Sequence, residues 1–494
     1  MHLHLLLEMA ADEAPERVIV GARSGGLTLA ELLERSRRAG AWFADLPGST
    51  VTYTGLNGPD FPIALFGASL AGRPFTPLNY RLPDADLRKL LARSAPTTSI
   101  CDPEMQARIA AVDGVALFSR QEFAEVHGAA AMPVYAGGPH EDAAVVLFTS
   151  GTTSEPKAAI LRHQNLTAYV ISTVEFLASG EEEAALVCVP PYHIAGISAV
   201  LTAVFGGRRM VQLPAFTPEA WVETAHAEDI THAMVVPTML GRVLEVLEKR
   251  GQTLPMLRAL SYGGGRMPLA VVERAMDLLP HVDFVNAYGL TETSSTVAIL
   301  DPEQHRLARA SQEPEVRRRL SSVGRPLPSV ELEIRDEAEN PVPAGVAGEV
   351  WVRGDQISGE YHDRKAIRDD GWFPTKDSGW LDLDGFLYVD GRLDDVIVRG
   401  GENISPAEIE DVIRSHPAVE DVAVLGVPDE LWGERIVAAV VSKSQVSSED
   451  LRALVKAKLR STRIPQEIIF RTSLPYNETG KLLRRVLKND VALS

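Results

Sequence analysis

A chain of 494 residues is longer than one hydrophobic core normally organises, so two or more domains are expected. Hydrophobic residues make up 45% and charged residues 23%, the balance of a globular protein rather than of a disordered or membrane-embedded one. A formal net charge of −18 argues against broad binding to nucleic acid or an anionic membrane, so any anionic ligand must be held by local positive groups. The only two cysteines, Cys101 and Cys188, leave no material for a disulfide framework or a cysteine metal site. A reducing, cytoplasmic setting is the default.

The chain opens on a short apolar run, Leu3 to Leu7, broken by Glu8 and without a basic leader. It reads as a buried first helix, not a signal peptide. No apolar stretch is long enough to span a bilayer. Ala143 to Phe148 is a continuous apolar run suited to a buried strand, and helical character begins at His163, after a glycine-containing loop. Leu240, Val243, Leu244 and Leu247 share one face of an amphipathic helix. Val282 to Val285 reads as another short strand leading into Asn286-Ala-Tyr-Gly289. Alternating strands and helices indicate an α/β architecture of helix-covered sheets.

From Gly371 to Gly391 the character changes to hairpin and turn chemistry, with Asp377, Gly379, Asp382, Asp384, Gly385 and Asp390 as punctuation. A smaller unit follows. Helices are expected over Pro406–Ser415 and Ser448–Leu459, the latter capped by Ser447 or Ser448, and strands over Val419–Val427 and Ile436–Val441. The expected division is 1–391, a hinge at 392–395, and 396–494. Pro341 to Gly348 reads as a turn inside a domain.

Within the first unit, the run Leu147-Phe-Thr-Ser-Gly-Thr-Thr-Ser-Glu-Pro-Lys157 leaves a strand-like stretch and ends on one lysine. Such a loop offers backbone N–H groups, hydroxyl donors and a charge to phosphate oxygens, although the Walker spacing is absent. Three further stretches follow in order: Asn286-Ala-Tyr-Gly-Leu-Thr-Glu292, Thr375-Lys-Asp-Ser-Gly-Trp380 through Arg392, and Asn477-Glu-Thr-Gly-Lys481. Together the four resemble the adenylate-forming superfamily of acyl-CoA synthetases, luciferases and carrier-loading adenylation domains, most of all an acyl-CoA synthetase. The resemblance covers nearly the whole chain. It implies a large N-terminal domain with a β-rich subdomain and a small mobile α+β C-terminal domain.

The resemblance also implies roles. Thr149, Ser150, Gly151, Thr152, Thr153 and Lys157 would cradle ATP phosphates. Glu292, with Thr149, would hold the magnesium ion, a hard cation that prefers oxygen ligands. Asn286, Ala287, Tyr288, Gly289, Leu290 and Thr291, with Gly264 and Gly265 of the Tyr262-Gly-Gly-Gly-Arg-Met-Pro268 turn, would line the adenine side. Asp377 would accept from the ribose hydroxyls and Arg392 would contact ribose or phosphate. Lys481 would reach the reacting carboxylate and α-phosphate. Asp394 would be the hinge between two closures. Gly400, Gly401 and Glu402 would line a passage for the thiol arm of coenzyme A. His193, in Pro190-Pro-Tyr-His193, would orient the acyl group, with Thr238, Gly264 and Ala287 around it.

Three positions depart from the family pattern: Ser154, Ala158 and Lys376 stand where glycine is usual. They leave Lys157, Glu292, Asp377, Arg392 and Lys481 intact but put the efficiency of adenylation in question. The expected activity is ATP-dependent ligation of a carboxylic acid to coenzyme A through an acyl-adenylate and pyrophosphate. Alternatives are an enzyme specialised for the thioester step, one loading a separate carrier protein, a luciferase, or a non-enzymatic nucleotide sensor. Coenzyme A is favoured because no carrier domain follows Lys481. An amino acid substrate is disfavoured because no acid accompanies the His193 run. A homodimer is a common habit of related enzymes.

Overall fold

Two large sheets meet across a layer of buried helices, and a third and a fourth sheet follow in the second half of the chain. The structure is a computed structural model; it describes every residue except 111, 130–141, 150–155, 400–401, 430–431, 477–481 and 493–494, and omits the side chains of 403 and 492. Ser150, Gly151, Thr152, Thr153, Gly400, Gly401 and Lys481 therefore lie outside the described residues.

The nine-stranded sheet is parallel at its centre, through Ala184–Val187, Arg209–Gln212, His232–Val235, Ala259–Gly263 and Asp283–Leu290. Ligands of such sheets gather at the carboxyl ends of the strands. Three of those ends lead into the segments that contain His193, Thr238 and Gly264, and Ala287 lies within the strand Asp283–Leu290. The eight-stranded sheet includes Thr50–Thr54, Phe75–Pro77 and Ala143–Thr149.

Between the two sheets lie the helices Leu3–Glu13, Leu29–Asp45, Asp60–Leu70, His163–Thr173 and Ile194–Gly206. The helix Asp60–Leu70 is apolar on all sides and buried from Phe61 to Leu70, as a helix enclosed by other elements must be. The N-terminal helix is likewise packed into this core through Leu3, Leu6 and Leu7. Among the described residues, no helix is long and apolar enough to cross a membrane.

The third sheet is antiparallel, with Glu331–Arg335, Gly348–Arg353, Phe373–Leu381 and Leu387–Arg392 in order. It is the β-rich part that the sequence suggests, and its last two strands are the expected hairpin. Beyond Leu393–Asp395, a one-turn 3-10 helix, a five-stranded sheet runs from Ile397 to Phe470 with the helices Pro406–Arg414 and Ser448–Lys458. Ser447 caps the second helix in a complete capping box with Asp450, worth about 1 kcal/mol. The expected mixed α/β class, with a large first part and a smaller last one, is the fold observed.

One local expectation is corrected. The glycine loop does not run from a strand to a helix. It joins Ala143–Thr149 to an antiparallel strand, Lys157–Arg162, and only then does the helix begin at His163. The strand Lys-Ala-Ala-Ile-Leu-Arg is short and rich in alanine, so it carries little β signal of its own.

Candidate active site

Thr149 and Lys157 face each other as the last residue pair of this hairpin, and the Thr149 hydroxyl donates to the Lys157 carbonyl at 3.4 Å. The loop is thus closed at its base by strand pairing. On the outer side of Lys157–Arg162 runs the short strand Glu360–Tyr361, with Tyr361 opposite Ala159. From there the Tyr361 hydroxyl donates to Glu292 Oε1 at 2.6 Å. Backbone N–H groups of Ser358 and Gly359 donate to the Glu292 carbonyl at 2.9 and 3.1 Å. Glu292, on the one-turn helix Thr291–Thr293, is buried and held from both its backbone and its side chain, next to the strand Lys157–Arg162. Burial, reinforced by the Glu292 charge, raises the Tyr361 pKa and keeps its proton in place.

A second cluster centres on Asp377, which is buried. Tyr288 donates its hydroxyl to Asp377 Oδ2 at 2.6 Å, and Arg392 Nε lies 3.3 Å from Oδ1. Asp377 and Arg392 are paired across the hairpin, which fixes the separation of carboxylate and guanidinium. Arg392 also donates to the Thr375 carbonyl at 2.6 Å, and the Asp377 N–H donates to the Thr375 hydroxyl at 3.1 Å. Burial disfavours the charge of Arg392, but Asp377 and then Glu292 outweigh it, and the pKa stands above its ordinary value. Burial and the Asp377 charge hold the Tyr288 pKa well above 10.

The adenine-side expectations fall on one strand and one turn. Asn286, Ala287, Tyr288, Gly289 and Leu290 belong to the strand Asp283–Leu290, which extends further than the sequence suggests. Asn286 is turned inward and donates to the Ser322 carbonyl at 2.9 Å, a structural bond. A Cβ at Gly289 would fall 1.8 Å from the Ser295 carbonyl oxygen, so glycine is demanded there by the returning strand. Gly264 has φ +77° and is exposed with Gly265 at the end of Ala259–Gly263; the nearest atom to an added Cβ is Val236 Cγ1 at 3.6 Å. Thr238 is exposed beside it, at the start of the helix Pro237–Arg250.

His193 precedes the helix Ile194–Gly206, and its Nε2 is buried with no hydrogen-bond partner among the described residues. Burial, with Arg81 adding to it, lowers its pKa to about 4, so it is a neutral imidazole at pH 7. Its ring lies 4.6 Å from that of Tyr192, which meets Tyr80 edge-on at 5.5 Å. On the smaller unit, Glu402 forms an ion pair with Arg463. Asp394 is exposed, while its neighbour Asp395 lies 3.7 Å from Arg484 of the final helix, Arg484–Ala492.

Of the three departures, Ala158 sits buried in a regular strand where a methyl group is accommodated. Lys376 adopts φ +65°, the left-handed region that favours glycine. Its ammonium pairs with Glu349 at 3.2 Å instead of facing Asp377's partners. Ser154 lies outside the described residues. Tyr361 and Glu349 are site residues that the motifs do not announce.

The donor set suits a magnesium-bound triphosphate: one fixed carboxylate, Glu292, and a hydroxyl, Thr149, with the remaining ligands left to phosphate and water. Among the described residues no group of three His, Cys, Asp or Glu side chains is placed to hold a metal alone.

Residues 7–362 match the AMP-binding enzyme family, and residues 408–481 match the AMP-binding enzyme C-terminal domain. The chain is 33% identical over 474 residues to a feruloyl-CoA synthase of Amycolatopsis sp, with 94% of each chain covered. It is 34% identical over 353 residues to a 2-succinylbenzoate–CoA ligase of Bacillus cereus, with 70% of each covered. The fold matches an o-succinylbenzoate CoA synthetase of Bacillus subtilis, in complex with an acyl-adenylate intermediate, at a TM-score of 0.85 and 29% identity, covering 98% and 97% of the two chains. It matches an amide bond synthetase of Marinactinospora thermotolerans at 0.87 and 27% identity, covering 99% of both. The fold and these relatives define the class of AMP-forming acid–thiol ligases. The chain belongs to the AMP-binding enzyme family, as the four motifs imply.

Proposed function

We propose that this ligase joins an aryl-bearing carboxylic acid to coenzyme A in two steps at one site. The observation that carries the reading is the pair of carboxylates, Glu292 and Asp377, each fixed by a tyrosine hydroxyl at 2.6 Å, with Arg392 feeling the charge of both and Tyr361 on the strand that flanks the Thr149–Lys157 hairpin. In the first step a carboxylate oxygen of the acid attacks the α-phosphorus of ATP. The phosphoanhydride bond breaks and pyrophosphate leaves with its charge. Lys157 and the hydroxyls of its loop hold the phosphates, and Asp377 and Arg392 hold the ribose end. Magnesium, bound through Glu292 and Thr149, supplies charge neutralisation at the phosphates. Lys481 stabilises the junction of carboxylate and phosphorus.

In the second step the thiol sulfur of coenzyme A attacks the acyl carbon, the bond to the phosphate oxygen breaks, AMP leaves, and the thiol proton passes to solvent. The unit from 396 onward would turn about Asp394, withdrawing Lys481 and bringing Gly400, Gly401 and Glu402 to the thiol path. The Asp395–Arg484 pair supports this division, since it fastens the turn to the last helix of the smaller unit. His193, neutral at pH 7, orients the acyl carboxylate without adding charge, with Thr238, Gly264 and Ala287 forming the pocket rim. The named acids of the curated relatives support an aryl substrate. Two buried free thiols support a cytoplasmic setting.

The test is pyrophosphate release with ferulic acid, 2-succinylbenzoic acid and a medium-chain fatty acid. Product analysis with coenzyme A or a simple amine as acceptor follows, because the fold also resembles an amide bond synthetase. Release with the aryl acids and a thioester product supports the reading. No release with any acid, together with thioester formation from supplied acyl-adenylate, gives the second half-reaction alone. Lys481→Ala is expected to abolish pyrophosphate release while leaving the second step measurable.

A further inference from the structure

The loop that leaves the strand Thr50–Thr54 and enters the helix Asp60–Leu70 is clamped by charges of a kind that cores seldom contain. Arg120 reaches Asp60 Oδ2 through Nε and Asp102 Oδ1 through Nη1, both at 2.9 Å. His127 Nε2 lies 3.2 Å from the other oxygen of Asp60. The Leu56 N–H donates to Asp102 Oδ2 at 2.8 Å, and the Tyr53 hydroxyl donates to the Leu56 carbonyl at 2.9 Å. Arg120 also fills the space over Gly58, where an added Cβ would lie 2.4 Å from its Nη2. Breaking one member of such a cluster strands a buried charge, so the loop is held in one conformation.

At the tip of this loop is Asn57, which is buried. Its Nδ2 donates to the Val189 carbonyl at 3.0 Å and to the Leu213 carbonyl at 3.4 Å. Those carbonyls lie just past the carboxyl ends of Ala184–Val187 and Arg209–Gln212, in the other large sheet. Four residues beyond Val189 is His193. The path between them contains Pro190 and Pro191, whose rings fix φ, so a shift at Val189 is carried forward instead of absorbed. The segment is tight further on: the His193 N–H donates to the Pro190 carbonyl at 3.1 Å, and a Cβ at Gly196 would lie 2.8 Å from the same oxygen.

We propose that Asn57 is a positioning residue that spans the seam between the two large sheets and sets the segment Val189–His193, and through it the imidazole that faces the acyl group. Its consequence for the acid rests on the reading of His193 given above.

The experiment is histidine-selective NMR of the full chain over pH 3.5 to 8, with the His193 signal assigned by its loss in His193→Gln. In Asn57→Ala the segment loses its anchor, solvent reaches the ring, and the His193 pKa rises from about 4 by about one unit or more toward the ordinary imidazole value. His305, fixed by Tyr262 and by the Asp301 carbonyl, keeps its titration. Asn57→Leu, of similar volume with neither donors nor charge, serves if the alanine variant does not fold. An unchanged His193 titration, or equal shifts at His193 and His305, overturns the proposal. This arm needs no turnover, so it stands apart from any failure of the proposed activity. With an acid that the wild type turns over, the KM for that acid rises about fivefold or more while the KM for ATP stays within about twofold, as expected for a lost hydrogen bond on one side of the site. Equal rises in both overturn the positioning role.

Discussion

The hydroxyl of Tyr288 donates to Asp377 Oδ2 at 2.6 Å across 89 residues of sequence. This bond fixes which Asp377 lone pairs remain for a ligand, because Arg392 engages the other oxygen. Tyr288→Phe keeps the ring and removes the bond. The carboxylate then gains freedom at a cost of about 1.5 kcal/mol in ATP binding, the scale of a hydrogen bond to a charged group. Steady-state kinetics should show the KM for ATP rising about tenfold with the KM for the acid unchanged. A rise confined to the acid would remove Asp377 from the nucleotide site.

Tyr361 does for Glu292 what Tyr288 does for Asp377. It arrives on a two-residue strand that the glycine hairpin recruits as a neighbour, so loop geometry and carboxylate geometry are coupled. If Glu292 holds magnesium as proposed, Tyr361→Phe should raise the magnesium concentration for half-maximal pyrophosphate release by about fivefold, the effect of losing an outer partner of such a carboxylate. Magnesium titration at saturating ATP and acid checks it. An unchanged midpoint would take the metal away from Glu292.

The motifs around Glu292 and Asp377 pointed to residues that the structure brings into bonded clusters, and apolar periodicity and a capping serine made the helices at Leu240 and Ser448 legible. What escaped has physical reasons. Tyr361 and Glu349 act through contacts across 69 and 27 residues, and neither carries a local pattern. The strand Lys157–Arg162 is short and alanine-rich, so only its pairing with Ala143–Thr149 makes it a strand. Gly289 looks like a ligand-facing residue by its motif, yet the oxygen of Ser295 is what excludes a side chain there.

Lys376 shows how a departure from a family pattern can be tolerated. Its φ of +65° costs a side-chain-bearing residue about 1 kcal/mol. Its N–H donates to Glu349 Oε1 at 3.0 Å and its ammonium pairs with the same carboxylate, which offsets part of that cost. Lys376→Gly should therefore leave stability within about 1 kcal/mol of wild type, in the stabilising direction, since the exposed ion pair it removes contributes little. Denaturant unfolding measures this. Because the ammonium is directed to Glu349, Lys376→Ala should not change the KM for ATP; a severalfold rise would mean that the lysine engages the nucleotide.

The two parts of the chain touch where Arg266, from the triple-glycine turn, pairs with Asp411 of the helix Pro406–Arg414, and where the Ser405 hydroxyl donates to the Asp390 carbonyl at 3.3 Å. The Asp390 carboxyl sits in this junction. Burial pushes its pKa up to about 6, Arg266 pulls it down and Glu408 adds to the rise. The folded pKa lies above the ordinary 3.8, so the folded chain holds an extra proton between about pH 4 and pH 6. The stability that this proton confers is complete below pH 3.8 and is lost as pH rises through 6. Asp390→Asn removes the charge that must be buried at neutral pH. The variant should melt about 2 °C above wild type at pH 8, and the gap should close as pH falls toward 4. Scanning calorimetry at the two pH values decides it: a constant gap, or a wild type more stable at pH 8, would mean that Arg266 fully compensates the ionised carboxylate.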